Sequence, residues 1–85
     1  MTRAWLVERD VDSRDLVTLT YATPEGDRAF TKQASLNSLA RRGGVTAATA
    51  VDDDRLEPVE DDQRRERYAD EAERVAANND PDDRL

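Results

Sequence analysis

Two acidic runs, Asp10-Val11-Asp12-Ser13-Arg14-Asp15 and Asp52-Asp53-Asp54, hold the side chains best placed for cation chemistry in this chain. Carboxylates at alternate positions of a loop converge on a hard cation such as calcium. The first run breaks that pattern, because Arg14 takes the third ligand position and Asp15 stands where the turn glycine belongs. It reads as a solvated turn, and Asp52 to Asp54 likewise, with weak and salt-competed cation binding at most.

There is no histidine and no cysteine. The usual zinc sites, Ser-His-Asp triads and thiol nucleophiles are therefore excluded, as is any disulfide. Gly43-Gly44 is an isolated pair, without the spacing of a phosphate-binding loop or dinucleotide fold. Paired carboxylates for glycoside chemistry are numerous enough, but four aromatic residues offer little surface for stacking sugars. No catalytic residue, metal site or cofactor is expected, and the balance leans away from an enzyme.

The positive candidates are cations and aromatics. Arg28, Lys32, Arg41 and Arg42 form a candidate anion or partner patch, expected at one end of a third strand and a short helix. Arginine forks suit phosphate, although a helix C-terminus also welcomes Arg41 and Arg42 for structural reasons alone. Trp5, Phe30, Tyr68 and Val75 are the candidate interface residues, with Trp5 most simply a core or interface anchor.

These residues need elements to hold them, and the first is a β-meander over Trp5 to Gln33. Two alternating runs flank the turn Thr23-Pro24-Glu25-Gly26-Asp27, in which Pro24 presets φ and Gly26 suits a left-handed position. Before the turn, Val17, Leu19 and Tyr21 share one face, while Leu16, Thr18, Thr20 and Ala22 share the other. A three-residue loop sets Tyr21 opposite Ala29 and Leu19 opposite Thr31, leaving Phe30 on the face away from Tyr21; a loop one residue longer brings Phe30 to Tyr21's side. Ala4 to Arg9 is the first strand, with Trp5 and Val7 on one face and Ala4 and Leu6 on the other.

Ser35 to Gly44 has the grammar of a short helix: a serine cap, apolar residues at 36, 39 and 40, cations in the last turn and glycine at the stop. Val45 to Val51 reads as a fourth strand returning to the sheet, and its pattern suits a place at an edge or beside strand one. Leu56 to Val59 is extended because Pro58 removes a donor and biases its predecessor away from helix. A last helix is expected from Glu60, with Glu60–Arg64, Asp61–Arg65 and Asp70–Arg74 as i,i+4 pairs and Tyr68, Ala72, Val75 and Ala76 as its apolar stripe. The expected fold is thus α+β, β-β-β-α-β-α, with an antiparallel sheet of about four strands. Residues 1–77 make one domain, and residues 78–85 are expected to be a frayed acidic tail.

The chain has 85 residues and a formal charge of −7. Residues 1–50 carry 7 basic and 6 acidic groups, and residues 51–85 carry 6 and 14. An acidic second half argues against a general nucleic-acid binder. Only one of the 13 basic residues is lysine, and aspartate outnumbers glutamate. In molar salt the Debye length falls to ~3 Å, so dense carboxylates repel little while they hold water. Through this composition, and through Ala4 to Arg9, Tyr21 to Gly26 and Arg55 to Val59, the chain resembles the small uncharacterised acidic proteins of haloarchaea. That resemblance implies no activity and no functional residue.

No apolar run approaches the ~20 residues of a membrane span, and Thr2 to Val7 is too short for a signal peptide, so a cytoplasmic location is expected. Apolar residues on both faces of the sheet, with two modest helices to cover them, point to a homodimer. The expected function is a non-enzymatic homodimeric protein-interaction module of a halophile; the alternative is a nucleic-acid-associated regulator acting through the Arg/Lys patch.

Overall fold

The computed structural model describes residues 1–85. Its elements are β1 (Thr2–Val11), β2 (Leu16–Ala22), β3 (Arg28–Ser35), α1 (Leu36–Arg42), β4 (Ala48–Val51), β5 (Glu57–Pro58) and α2 (Asp62–Asn78), with a 3-10 turn over Asp53–Arg55. The fold is α+β: one antiparallel sheet ordered β4-β1-β2-β3-β5, with helices on both faces. A fifth strand joins the expected four. Pro58 has no N–H to give, and the two-residue β5 accordingly sits at the sheet's edge beside Arg28 and Ala29.

The hairpin takes the longer loop. Tyr21 pairs with Phe30 and Leu19 with Lys32, which corrects the pairings with Ala29 and Thr31. The cause is Thr23, whose hydroxyl donates to Asp27 Oδ1 at 2.8 Å and accepts from the Arg28 N–H at 3.3 Å. That buried hydroxyl makes the turn span four residues, Pro24 to Asp27, and puts Phe30 on the face of Tyr21. β1 carries a bulge between Leu6 and Glu8. Val7 and Glu8 thereby both turn toward α2, Val7 packing beside Trp5 and Glu8 meeting Arg67 at 3.5 Å.

Each face of the sheet has its own core. On one, Ala4, Leu6, Val17, Leu19 and Tyr21 meet Leu39 of α1, Val45, Val51 and Leu56. On the other, Trp5 packs with Ala47, Ala48 and Ala72, and Ala22 packs with Val59 and Tyr68. The second face is floored by small residues, so α2 comes very close. At Gly26, φ is +72°, and a Cβ there would lie 2.2 Å from the Arg65 carbonyl oxygen. Gly26 thus serves the turn and seats the helix at once.

The helices start and stop largely as their caps dictate. Ser35 accepts from the Ser38 N–H at 3.1 Å, and α1 ends on left-handed Gly43, with Gly44 N–H donating to Leu39 O at 2.9 Å. α2 starts at Asp62, two residues later than expected, because Asp61 rather than an earlier residue provides the cap by accepting from Gln63 N–H. Its ion pairs are Asp62–Arg65 and Glu71–Arg74, three residues apart, in place of the expected i,i+4 set.

Of residues 78–85, expected as a frayed tail, Asn78 closes α2 and residues 79–85 run beside the β4 end of the sheet. Ala47 N–H donates to Asp83 O at 2.8 Å, Ala48 N–H to Pro81 O at 3.1 Å, and Leu85 N–H to Val45 O at 2.8 Å. Leu6 N–H of β1 donates to Ala47 O at 2.9 Å, just ahead of β4, and the outward main-chain groups of Val45, Ala47 and Ala48 are satisfied by this segment.

Candidate functional site

The long helix closes its face, and the short one leaves its face partly open. α1 buries only Leu39, whereas Leu36 stays 44% exposed. β1 extends past the end of its pairing with β4, leaving Val11 49% exposed. Between them lies a groove of about 420 Å³ lined by Arg9, Val11, Val17, Leu36, Ala40 and Val45 among others, with Gly43 and Gly44 at the end of α1. Leu85, 37% exposed, is held to Val45 and lies over Gly44. Two of the four large exposed apolar side chains of the protein, Val11 and Leu36, therefore line one groove; the others are Leu85 and Met1. Scattered surface leucines need no explanation, but a gathered set does.

One arginine lines this groove, and three more are attached to its Gly43–Gly44 end by sequence or by a hydrogen bond. Arg9 lines it, Arg41 and Arg42 occupy the last turn of α1 next to Gly43, and Arg84 donates to Gly44 O at 3.4 Å. None of the four makes an ion pair; the three in the structure are Asp62–Arg65, Glu8–Arg67 and Glu71–Arg74.

A second, larger hollow of about 640 Å³ lies where β3, β5 and the start of α2 meet. Its walls are polar and carry both signs of charge, including Asp54, Glu57 and Glu60 beside Arg55 and Arg64. Arg55 stacks on Phe30 at 5.2 Å and Asp61 caps its own helix, so local structure accounts for both. No group of three or more carboxylates converges as a metal site would require.

The expected loop sites have other occupations. Asp12 Oδ1 accepts from the Arg14 and Leu16 N–H groups at 2.8 and 3.0 Å, and this capped turn carries Asp15 in a left-handed conformation. Asp53 accepts from the Thr2 hydroxyl, which holds its carboxyl below the usual range, aided by the N-terminal amine and Arg28. The Tyr21 hydroxyl donates to Thr46 O at 3.2 Å; burial pushes its pKa up, and that hydrogen bond offsets part of the rise.

The four cations of the expected patch are dispersed. Arg28 opens β3 beside β5, while Lys32 lies over the Tyr21 ring at 5.9 Å. At ~3.3 Å per residue, Arg28 is about 23 Å from Ser35, the cap of α1, and α1 is only about 10 Å long. Arg41 and Arg42 lie in the last turn of α1, away from Arg28. Of the expected interface residues, Trp5 is buried under α2, Tyr68 is buried on the inner face of α2 against Ala22 and Val59, Val75 is partly buried beside Trp5, and Phe30 packs partly buried under Arg55. Of the residues that stand open, Leu36 falls on the apolar pattern of the short helix, which normally signals core, whereas Val11 lies in the expected solvated turn and Leu85 in the expected tail.

A family model described as a family of unknown function, DUF7967, matches residues 1–85. The chain belongs to this family. No curated protein and no solved structure matches it. The DUF7967 match covers both sheet faces, the groove and the 79–85 segment, so the groove lies wholly within the family's own domain. No helix of this DUF7967 chain is long and apolar enough to cross a membrane.

Proposed function

We propose that this protein is a non-enzymatic protein-interaction module whose docking surface is the groove between α1 and the β1–β2 end of the sheet. The observation that carries the reading is that two exposed apolar side chains, Val11 and Leu36, line one apolar concavity. Binding sites of this kind are concave, mostly apolar, and edged by a few oriented polar groups. The remaining surface offers no competing apolar patch, since Trp5, Tyr68 and Ala72 are spent within the chain.

The arginine-for-lysine bias and the −7 charge support a halophilic, cytoplasmic setting. Circular dichroism in dilute buffer against molar potassium chloride tests that part; complete folding without salt counts against it.

The docking reading is tested by a photo-crosslinking side chain placed at exposed Ala40 in the groove or, as a control, at exposed Ala76 on α2, with the protein expressed in its native host. One dominant adduct from Ala40, lost on Leu36→Glu and absent from Ala76, is the expected result. Equal adducts from both positions, or none from Ala40, would overturn the reading. The adduct's mass separates a second copy of the chain from a different protein.

A further inference from the structure

We infer that the hollow between β3, β5 and the start of α2 binds a small basic amino acid, its carboxylate on Arg64 and its ammonium groups on the Thr20 and Tyr68 hydroxyls and the surrounding acids. This is a second site. It shares no lining residue with the groove, so it stands or falls apart from the docking reading above.

The first ground is a pair of hydroxyls. Thr20 and Tyr68 both line the hollow and are only 7% and 6% exposed. Thr20 alternates with Leu19 and Tyr21 of the other core, so its side chain lies on the α2 face of the sheet. Its neighbour across the pairing with β3 is Thr31, a third hydroxyl of the same wall. The buried hydroxyls of Thr23 and Tyr21 are bonded, to Asp27 Oδ1 and to Thr46 O. Those of Thr20 and Tyr68 have no protein partner. No polar atom sealed from the surface is left unpaired, so both keep an opening, and the hollow is what they both border. A hydroxyl this deep adds nothing to packing over valine or phenylalanine; its use is to bond what enters.

The second ground is opposite charges that share a hollow and do not meet. Glu60 and Arg64 have the spacing of an i,i+4 pair, and Asp54 and Glu57 line the same hollow from the 3-10 turn and β5, yet none of the four makes an ion pair. A simple anion would answer Arg64 and be repelled by the carboxylates; a simple cation would leave Arg64 unanswered. A zwitterion answers both. Four carboxylates line the hollow against two arginines, so the zwitterion that fits has a surplus cation. Arg55 is committed to the Phe30 ring and Asp61 to the Gln63 N–H, which leaves three acids and Arg64 for the ligand. These acids do not converge as metal ligands must, but two ammonium groups on one skeleton can reach separate acceptors.

Size and surface narrow the class further. A hollow of about 640 Å³ suits a small molecule. Arg55 and Arg67 lie over the rings of Phe30 and Tyr68, which leaves little aromatic surface for a sugar. The guanidinium fork of Arg64 matches a carboxylate.

The test uses the full chain, labelled with ¹⁵N, in the lowest salt at which it stays folded, titrated with free lysine, alanine, the diamine putrescine or glutarate. Free lysine should shift the amides of Thr20, Thr31, Arg64 and Tyr68 and leave those of Val11 and Leu36 in place. It should bind about tenfold tighter than alanine, which lacks the second ammonium, or putrescine, which lacks the carboxylate, and glutarate should not bind. Thr20→Val should weaken free lysine about tenfold while the thermal midpoint holds or rises, because no protein group bonds that hydroxyl. Arg64→Gln should bring free lysine down to the affinity of putrescine. Putrescine matching free lysine in the unaltered protein would reduce the site to an acidic surface and overturn the assignment. Alanine matching it, or an unchanged affinity in Thr20→Val, would overturn it as well. Shifts spread evenly over the acidic surface, or none, would remove the site altogether, and the groove would stand untouched.

Discussion

The two faces of the sheet are covered by helices of opposite quality, and the outcome is the reverse of what the helices alone suggest. α2 is long but has a thin apolar stripe, with Tyr68 and Ala72 its only buried side chains. It nevertheless closes its face, because Ala22, Ala47 and Ala48 beneath it are small and Gly26 lets the backbone of Arg65 come into contact. α1 sits over the larger side chains Val17, Leu19 and Tyr21, yet it lasts only seven residues before Gly43 ends it. Leu36 and Val11 are left at the margin. Closure depends on how near the covering element can come, more than on how apolar it is.

Breaking the closed face should have the largest effect. Gly26→Ala forces a Cβ into the Arg65 carbonyl and a side chain into positive φ, and it should cost roughly 3–5 kcal/mol. Trp5 lies under α2, so its fluorescence emission should move to the red as the helix lifts. On the other face the equivalent blow is Leu19→Ala, at a fully buried position, with an expected loss of about 3 kcal/mol in denaturant melts. This variant should leave the Trp5 emission of the folded state unchanged, which separates the two cores.

Tyr21→Phe removes the hydrogen bond to Thr46 O and should cost about 1 kcal/mol. It also carries a pH signature. The folded state raises the Tyr21 pKa, so its neutral form contributes stability that is complete below the unfolded value and is lost as pH rises through the folded one. Wild-type stability should therefore decline in the alkaline range, above a pH of about 10, and the phenylalanine variant should lack that component.

Smaller still in stability is the effect of Lys32→Val. The Thr23 N–H donates to Arg28 O, so by antiparallel alternation Thr31 and Gln33 turn their main-chain groups to the edge that β5 leaves uncovered. The only lysine of the chain stands between them. Its cation over Tyr21 contributes about 0.5 kcal/mol, but its chief effect is to keep that edge from pairing. Light scattering should show concentration-dependent association of the valine variant. Leu36→Ser comes last, with a stability change within about 0.5 kcal/mol. A larger loss would mean that Leu36 belongs to the closed core.

Much of this architecture can be read from the chain. The alternation of Trp5 and Val7 against Ala4 and Leu6, the Ser35 cap and the Gly43 stop all follow from local rules, and all hold. The hairpin register turned on one buried hydroxyl, Thr23, whose preference for Asp27 and Arg28 has no periodic signature. The path of residues 79–85 was equally hidden, because main-chain bonding to Val45, Ala47 and Ala48 leaves no mark in side-chain composition. The groove was the least legible feature. It lies where the pairing of β1 with β4 has ended and α1 stops at Gly43, so its walls mix core residues such as Val17 and Leu39 with Arg9, Gly43 and Gly44, which share no pattern along the chain.

The contrast between a closed face and an open one is tested most directly by native-state hydrogen exchange on the free chain. The amides of α2 from Tyr68 to Ala72 should exchange only through global unfolding, with the protection of Leu19 and Tyr21 in the central strand. Those of α1 should exchange through local opening at a much lower free energy. If α1 proves as protected as α2, both faces are closed and the groove is not the molecule's working surface.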